Sequence, residues 1–356
     1  MNPHSPVGDH LGVAVKLALS LGALTARSRP AELLAYAVEA ERLGYDSVWV
    51  SEKWGSDPVS LLSWVAARTS TIGVGTAVMQ TPARSPAATA MTAATVDLLS
   101  GGRFRLGLGP STAQLAEGWH GVPFGRPLTD LREYVELVRQ VLSRRPVHHA
   151  GQRYRMPLDP SLSRPMMLDL RHFRPDIPVY LGAVGPRSTQ LAGEIADGWL
   201  GLFYAPGSDI DQLSDLRAGR AKAGRDLSGF DVVAMVPAVL GADVNACIDR
   251  VRGHYASFIG GMGSYYADLV TRMGYVEAAA EVRRLFLAGD PKAAAAVPGD
   301  LIDRTALLGP VSRIAQRLDR YAESGITTLS VLLFPTDAED GLRTLDAVLQ
   351  AASGIR

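Results

Sequence analysis

Apolar and polar positions follow two alternating periods along this chain. Short runs that are apolar on both sides, such as "VAVKLALS" (13–20), "DSVWVS" (46–51) and "IGVGTAV" (72–78), are bounded by polar or glycine-rich turns. Runs of this length without a polar face read as strands buried on both sides. Longer stretches with apolar residues at helical spacing lie between them. "AELLAYAVEAERLG" follows Ser28, Pro30 and Glu32, a helix-start pattern, and stops at Gly44. Further helices are predicted from about Pro58 to Ser70, from Ser85–Pro86 to a stop at Gly101–Gly102, and over 128–143. "RFRLGLG" (103–109), "IPVYLGAVG" (177–185), "DGWLGLF" (197–203), "FDVVAMVPAVL" (230–240) and "ITTLSVLLF" (326–334) supply strands four to eight. The helices "VSRIAQRLDRYAESG" and "DAEDGLRTLDAVLQAA" flank the last of them.

Eight strands alternating with helices predict parallel pairing inside a helical shell. A closed (β/α)8 TIM barrel suits both the strand count and a 356-residue chain read as one domain, 1–356. A doubly wound open sheet is the competing arrangement. Two stretches exceed a minimal barrel. Residues 144–176, rich in Pro, Arg and His, read as a long surface loop. Residues 261–310, between strands seven and eight, are far longer than an ordinary βα connection and contain the helical pattern "YVEAAAEVRRLFLAGDPKAAAA". They read as an inserted helical segment, either a rim hairpin or a lid over the barrel mouth.

Composition narrows the function. The chain is 47% hydrophobic and 20% charged, with 36 basic and 36 acidic residues and no long basic run, so no nucleic-acid or anionic-membrane footprint is expected. The single cysteine, Cys247, excludes an intramolecular disulfide and a multi-cysteine metal site, and no metal is expected. "MNPHSPVGDH" lacks a basic signal-peptide start, and the apolar stretch after it is short and holds Lys16; a reducing cytoplasm is the expected location.

Barrel chemistry belongs at the C-terminal ends of the strands. Strand one ends in "LSLG", offering Ser20, and strand two in "SEKWGSDP", offering Glu52, Lys53 and Trp54. Strand three thins to Thr76 and Ala77 before Pro82 and Pro86, as though something flat lay against its end. Strand four leads into "GPSTAQLAEGWHG", with His120 just beyond, and strand five into "GAVGPRS" before a helix, a turn able to receive a phosphate through backbone N–H groups. A nucleophile elbow, a P-loop, a paired-histidine zinc helix and a complete dinucleotide fingerprint are all missing.

Together, "GYDSVWVSEKW", "IGVGTAV" with "SPAATAMTAATVDLLSGGRFRLGLG", and "PVYLGAVGPRSTQLAGEIADGWL" resemble the luciferase-like monooxygenase superfamily, nearest its coenzyme F420-dependent branch. That branch includes the methylenetetrahydromethanopterin reductases. "AEGWHGVPFGRPLTDLREYVELVRQVL" is similar to actinobacterial F420-dependent oxidoreductases, and the likeness covers about residues 12–240 plus the last strand and helix.

The resemblance implies a non-proline cis peptide at Ala77–Val78, behind the deazaflavin ring. It implies that Gly109, Pro110, Ser111 and Thr112 line the cofactor, and that Gly182, Ala183, Val184, Gly185 and Pro186 hold its phosphate-bearing tail. Where relatives carry a histidine after the acidic residue of strand two, this chain has Glu52–Lys53. Where others carry a glutamate after strand four, it has Thr112. Lys53 is then the candidate proton donor, against the alternative of a salt-bridged surface lysine. His120 is a second proton source or a structural histidine, and Trp54 and Ser20 are candidate substrate contacts. The implied activity is hydride transfer between F420 and a small organic molecule with an activated C=C, C=N or carbonyl group. An FMN-dependent two-component monooxygenase and a non-catalytic flavin-binding protein are the alternatives. Likeness also implies a homodimer.

Overall fold

The computed structural model describes residues 15–26 and 28–354. Eight parallel strands close on themselves: β1 (Lys16–Gly22), β2 (Ser47–Val50), β3 (Gly73–Thr76), β4 (Phe104–Gly109), β5 (Val179–Gly182), β6 (Gly198–Leu202), β7 (Asp231–Leu240) and β8 (Thr328–Leu333). β8 pairs back to β1, with Leu17 opposite Leu329, so this is the (β/α)8 barrel and not an open sheet. The first two residues of the "VAVKLALS" run lie outside the described residues. Helix starts follow their sequence signals: Asp57 and Ser85 accept N–H bonds from Ser60 and Ala88, and a proline occupies the first turn in both helices.

The barrel interior explains much of the glycine in the strands. Trp49 and Tyr180 meet edge to face with ring centroids 5.0 Å apart, inside a layer completed by Ala18, Leu200 and Val233. A Cβ on Gly75 would lie 2.5 Å from the Trp49 ring, and one on Gly198 would strike the Tyr180 ring. Most of the thinness of β3 therefore accommodates a core tryptophan, and only the strand's end faces a ligand space. Gly107 is tighter still, since a Cβ there would coincide with the Thr76 carbonyl oxygen. Below this layer, Tyr180 Oη donates to Asp231 at 2.9 Å, and Thr328 Oγ1 donates to the same carboxylate at 2.7 Å.

Two boundaries differ from expectation. The insertion begins earlier than residue 261, with the helix Val244–Gly261, and continues through Tyr265–Arg272, Val276–Leu287 and Gly299–Arg304 to a short strand, Leu307–Gly309, that extends along β7. Gly253, Gly260 and Gly261 dilute the helical pattern of its first helix. The last two pack under Phe286, whose ring a Cβ on either would meet. The insertion buries its own core, including Tyr255, Ile259, Val270, Val282 and Leu301. The stretch 144–176 contains a small hairpin, His149–Ala150 against Arg155–Met156. Glu133 fastens it by accepting the N–H groups of Gln152, Arg153 and Tyr154.

Gly107→Ala should lower unfolding free energy by about 2–3 kcal/mol through overpacking. Gly253→Ala, which meets nothing within 4 Å in an exposed helix turn, should raise it by about 0.5–1 kcal/mol. Urea midpoints of the two variants check both signs.

Candidate active site

The site is organised by the end of β3. Gly75 pairs with Arg105, but Met79, three residues after Thr76, pairs with Leu108, so Thr76, Ala77 and Val78 oppose only Leu106 and Gly107. This is a bulge, and the Ala77–Val78 peptide within it is cis. The Val78 side chain consequently projects into the barrel mouth between two strands. A Cβ on Gly109 would stand 2.7 Å from its Cγ2, and one on Gly182 would stand 3.0 Å from its Cγ1. Those two glycines are the slots that let Val78 through.

Glu52 holds the bulge. Its backbone N–H donates to the Val78 carbonyl at 3.3 Å, and its carboxylate accepts the Gln80 N–H at 2.7 Å and the Arg84 guanidinium at 2.7 Å. Gln80 returns a bond to the Glu52 carbonyl and also meets the Ser111 hydroxyl. Glu52, a catalytic candidate from its place after strand two, has a side chain only 6% exposed and a carboxylate taken by two donors, and so serves as a positioning group for the bulge.

Above the bulge lies a cleft of about 470 Å³. Ala77, Val78, Gly109, Pro110, Ser111, Thr112, Gly182, Ala183, Val184, Gly185 and Pro186 all line it. Ser111 adopts φ 67°, turning the chain sharply after β4, and Thr112 Oγ1 caps the following helix through the Leu115 N–H. Gly185 caps the helix Pro186–Ile195 and exchanges hydrogen bonds with the Ser188 hydroxyl. The first-turn N–H groups of such a helix lack intrahelical acceptors, and Arg187 stands beside them. The floor is completed by Leu200, Leu202 and Met235. The roof comes from the insertion: Phe258, Met262, Tyr265 and Tyr266. Sequence reading missed these roof residues, although the aromatic run "FIGGMGSYY" within the insertion was a usable signal.

A second chamber, of about 860 Å³, opens beside the first and shares Met262 with it. Lys53 and Trp54 line this chamber, together with Trp119 and Phe286. Lys53 Nζ lies 4.7 Å from the centre of the Phe258 ring, a cation–π contact, and makes no hydrogen bond or ion pair among the described residues. It is therefore not a salt-bridged surface lysine. Burial pushes its pKa below the ordinary lysine value. His254, packed against Tyr255, Phe258 and Phe334, is pushed down to about 3 by burial and by the nearby Lys53 charge, so its ring is neutral at physiological pH.

Two expected contacts fall elsewhere. Ser20 is buried and lines a separate hollow with Glu32, Tyr36 and Pro335, and lines neither chamber. His120 ends the turn after the helix Ala113–Gly118, its backbone bonded to Leu115; its Nε2 is buried without a hydrogen-bond partner, and it lines neither chamber. Among the described residues no cluster of His, Cys, Asp or Glu is placed to hold a metal ion, and no helix is long and apolar enough to cross a membrane.

A parallel barrel with an apolar, glycine-slotted cleft at its strand C-termini has the architecture of the barrel enzymes, with the cleft where their active sites lie. The chain belongs to the luciferase-like monooxygenase family, whose model matches residues 11–328. It is 38% identical over 331 residues to a Mycobacterium tuberculosis protein named as a coenzyme F420-dependent oxidoreductase, covering 89% of this chain and 94% of that one. It is 30% identical over 304 residues to the 5,10-methylenetetrahydromethanopterin reductase of Archaeoglobus fulgidus, covering 83% and 87%. The solved coenzyme F420-dependent tetrahydromethanopterin reductase of Methanopyrus kandleri superposes with a TM-score of 0.77 at 24% identity, over 96% of this chain and 99% of that one. The protein is an oxidoreductase.

Because His254 is neutral in the fold but titrates near 6.5 when unfolded, stability should fall as pH drops from about 6.5 towards 3. His254→Phe removes this proton uptake, so its thermal midpoint should hold further into acid than that of the parent over the same window.

Proposed function

We propose that the protein is a coenzyme F420-dependent oxidoreductase that moves a hydride between the deazaflavin and a small organic molecule bearing an activated C=C, C=N or carbonyl group. The observation that carries this reading is the Val78 wedge between Gly109 and Gly182, which gives the cleft a flat, apolar back wall with no ionisable side chain on it. A planar, largely apolar ring fits such a wall, and the relatives named for F420 chemistry support the same choice. Ala77 and Val78 would back the ring, and the 109–112 loop would border it. The Gly182–Pro186 loop, with the helix N-terminus and Arg187, would receive a phosphate-bearing tail. When bound, the cofactor supplies the hydride-donating or hydride-accepting carbon.

The chain's own contribution is to orient, to exclude water and to move a proton. Phe258, Met262, Tyr265 and Tyr266 cover the cleft, so the insertion acts as its lid. Lys53 holds the proton. Its ammonium lacks a carboxylate partner and is weakened as a base by burial, so it can donate to an oxygen, nitrogen or carbon that becomes electron-rich as hydride arrives.

Titration of the cofactor-free protein with F420 and, separately, with FMN tests the cofactor. Saturable binding of F420 without FMN is expected; binding of FMN alone would overturn the proposal in favour of a two-component monooxygenase. Lys53→Ala should lower kcat with reduced F420 and an enone by about 10²-fold or more while leaving F420 affinity within about twofold.

A further inference from the structure

We propose that the second chamber is the acceptor pocket and that it selects a bulky, mostly apolar molecule of fused-ring size whose single polar end, a carbonyl oxygen, meets Lys53. This inference rests on the hydride-transfer reading of the neighbouring cleft.

The volumes set the scale: the chamber, at about 860 Å³, is larger than the cleft, at about 470 Å³. Its walls are apolar and unusually open to solvent. Trp119 is 62% exposed, Trp54 is 54% exposed, and Leu287 and Phe286 sit across from them on the insertion. Large aromatic surface left in water beside a cavity marks a binding wall more readily than a structural one. Lys53 is the one charged side chain among the chamber's described lining residues, and no acid faces it there. A ligand filling this space therefore meets two indoles, aliphatic and phenyl surface, a few polar side chains (Thr25, Gln114 and Ser257) and one hydrogen-bond-donating cation. A neutral apolar ketone satisfies all of these. A cationic ligand would face an uncompensated like charge, and a sugar-like ligand would set most of its hydroxyls against indole, phenyl and aliphatic surface.

The position of the cation fixes the orientation. Lys53 Nζ lies over Phe258, a roof residue of the cleft, and Met262 lines both spaces. The polar end of a bound molecule thus points at the junction of the two chambers, and its apolar body extends outward between Trp54 and Trp119.

The test uses 2-acetylnaphthalene, read by tryptophan quenching in the full-length protein, with naphthalene as the probe lacking the oxygen. The ketone should bind saturably, and saturating F420 should not displace it. Lys53→Met should weaken the ketone about tenfold and leave naphthalene unchanged, as expected for loss of one charge-assisted hydrogen bond. Gly118→Phe, built where a Cβ meets nothing within 4 Å, should plug the chamber and weaken both probes about tenfold or more. Trp119→Ala, an exposed position, serves as a second chamber variant and should weaken both. Competition by F420, or unchanged ketone affinity in Lys53→Met, or in both chamber variants, would overturn the assignment. Absence of ketone binding to the parent would do the same. Loss of F420 binding by the parent with ketone binding intact would instead overturn the cofactor reading and leave the chamber's ligand class standing.

Discussion

The site depends on one steric arrangement: a valine side chain passing between two strands that have no side chains to obstruct it. β3 carries one residue more than β4 across the bulge, and the surplus is accommodated by turning Val78 into the barrel mouth. Gly109 and Gly182, on the two strands that follow, are the places where a methyl group would meet it. A glycine at either position is dictated by a residue some thirty or a hundred positions away in sequence. The back of the cleft is thus shaped by the Val78 side chain between two glycines, with Leu200, Leu202 and Met235 completing an apolar floor.

A second constraint fixes the bulge in place. Glu52, two residues after β2, has its carboxylate turned toward Arg84 and the Gln80 N–H, and its own N–H bonds the Val78 carbonyl. A carboxylate buried to this degree must be paired, and Arg84 sits in the segment that immediately follows the bulge. The ion pair therefore ties β2 to the far side of the irregularity. Gln80 extends the tie to Ser111, so hydrogen bonds link the loops after the second, third and fourth strands.

Much of this was legible in the sequence, and the failures have physical reasons. Alternation of strands and helices predicted a parallel sheet inside a helical shell, and the count of eight suited a barrel, but closure over an open sheet is decided by the pairing of β8 with β1. The loops 109–112 and 182–186 were readable because their position after strands four and five follows from the barrel itself. The glycines of β3 were misread in part: Gly75 answers to Trp49, a contact across strands that no local pattern reveals. Ser20 was placed at the mouth by its position near a strand end, but it is buried and borders a different hollow, a distinction that strand position alone does not carry. The roof was missed because it belongs to an insertion whose first helix is interrupted by glycines, and helical spacing is a weak guide when the packing partner, here Phe286, replaces bulk on the helix itself.

The adjacent pair Glu52–Lys53 shows why spacing alone could not assign the chemistry. Side by side in sequence, an acid and a base suggest mutual neutralisation. The two lie in the loop just after β2, and their side chains take separate partners. Glu52 turns toward Arg84 and is neutralised there, and Lys53 turns toward Phe258, Trp54 and the insertion, where no acid is present among the described residues. Had the carboxylate faced the same way, the lysine would be a stabilised cation with little tendency to give up its proton. Separation of the two charges leaves a cation whose close attraction, among the described residues, is a ring face, in surroundings that disfavour its charge and that also keep His254 neutral. An ammonium in that state gains on meeting an oxygen that accumulates negative charge, and the same loop that carries it anchors the wall against which the neighbouring ligand lies.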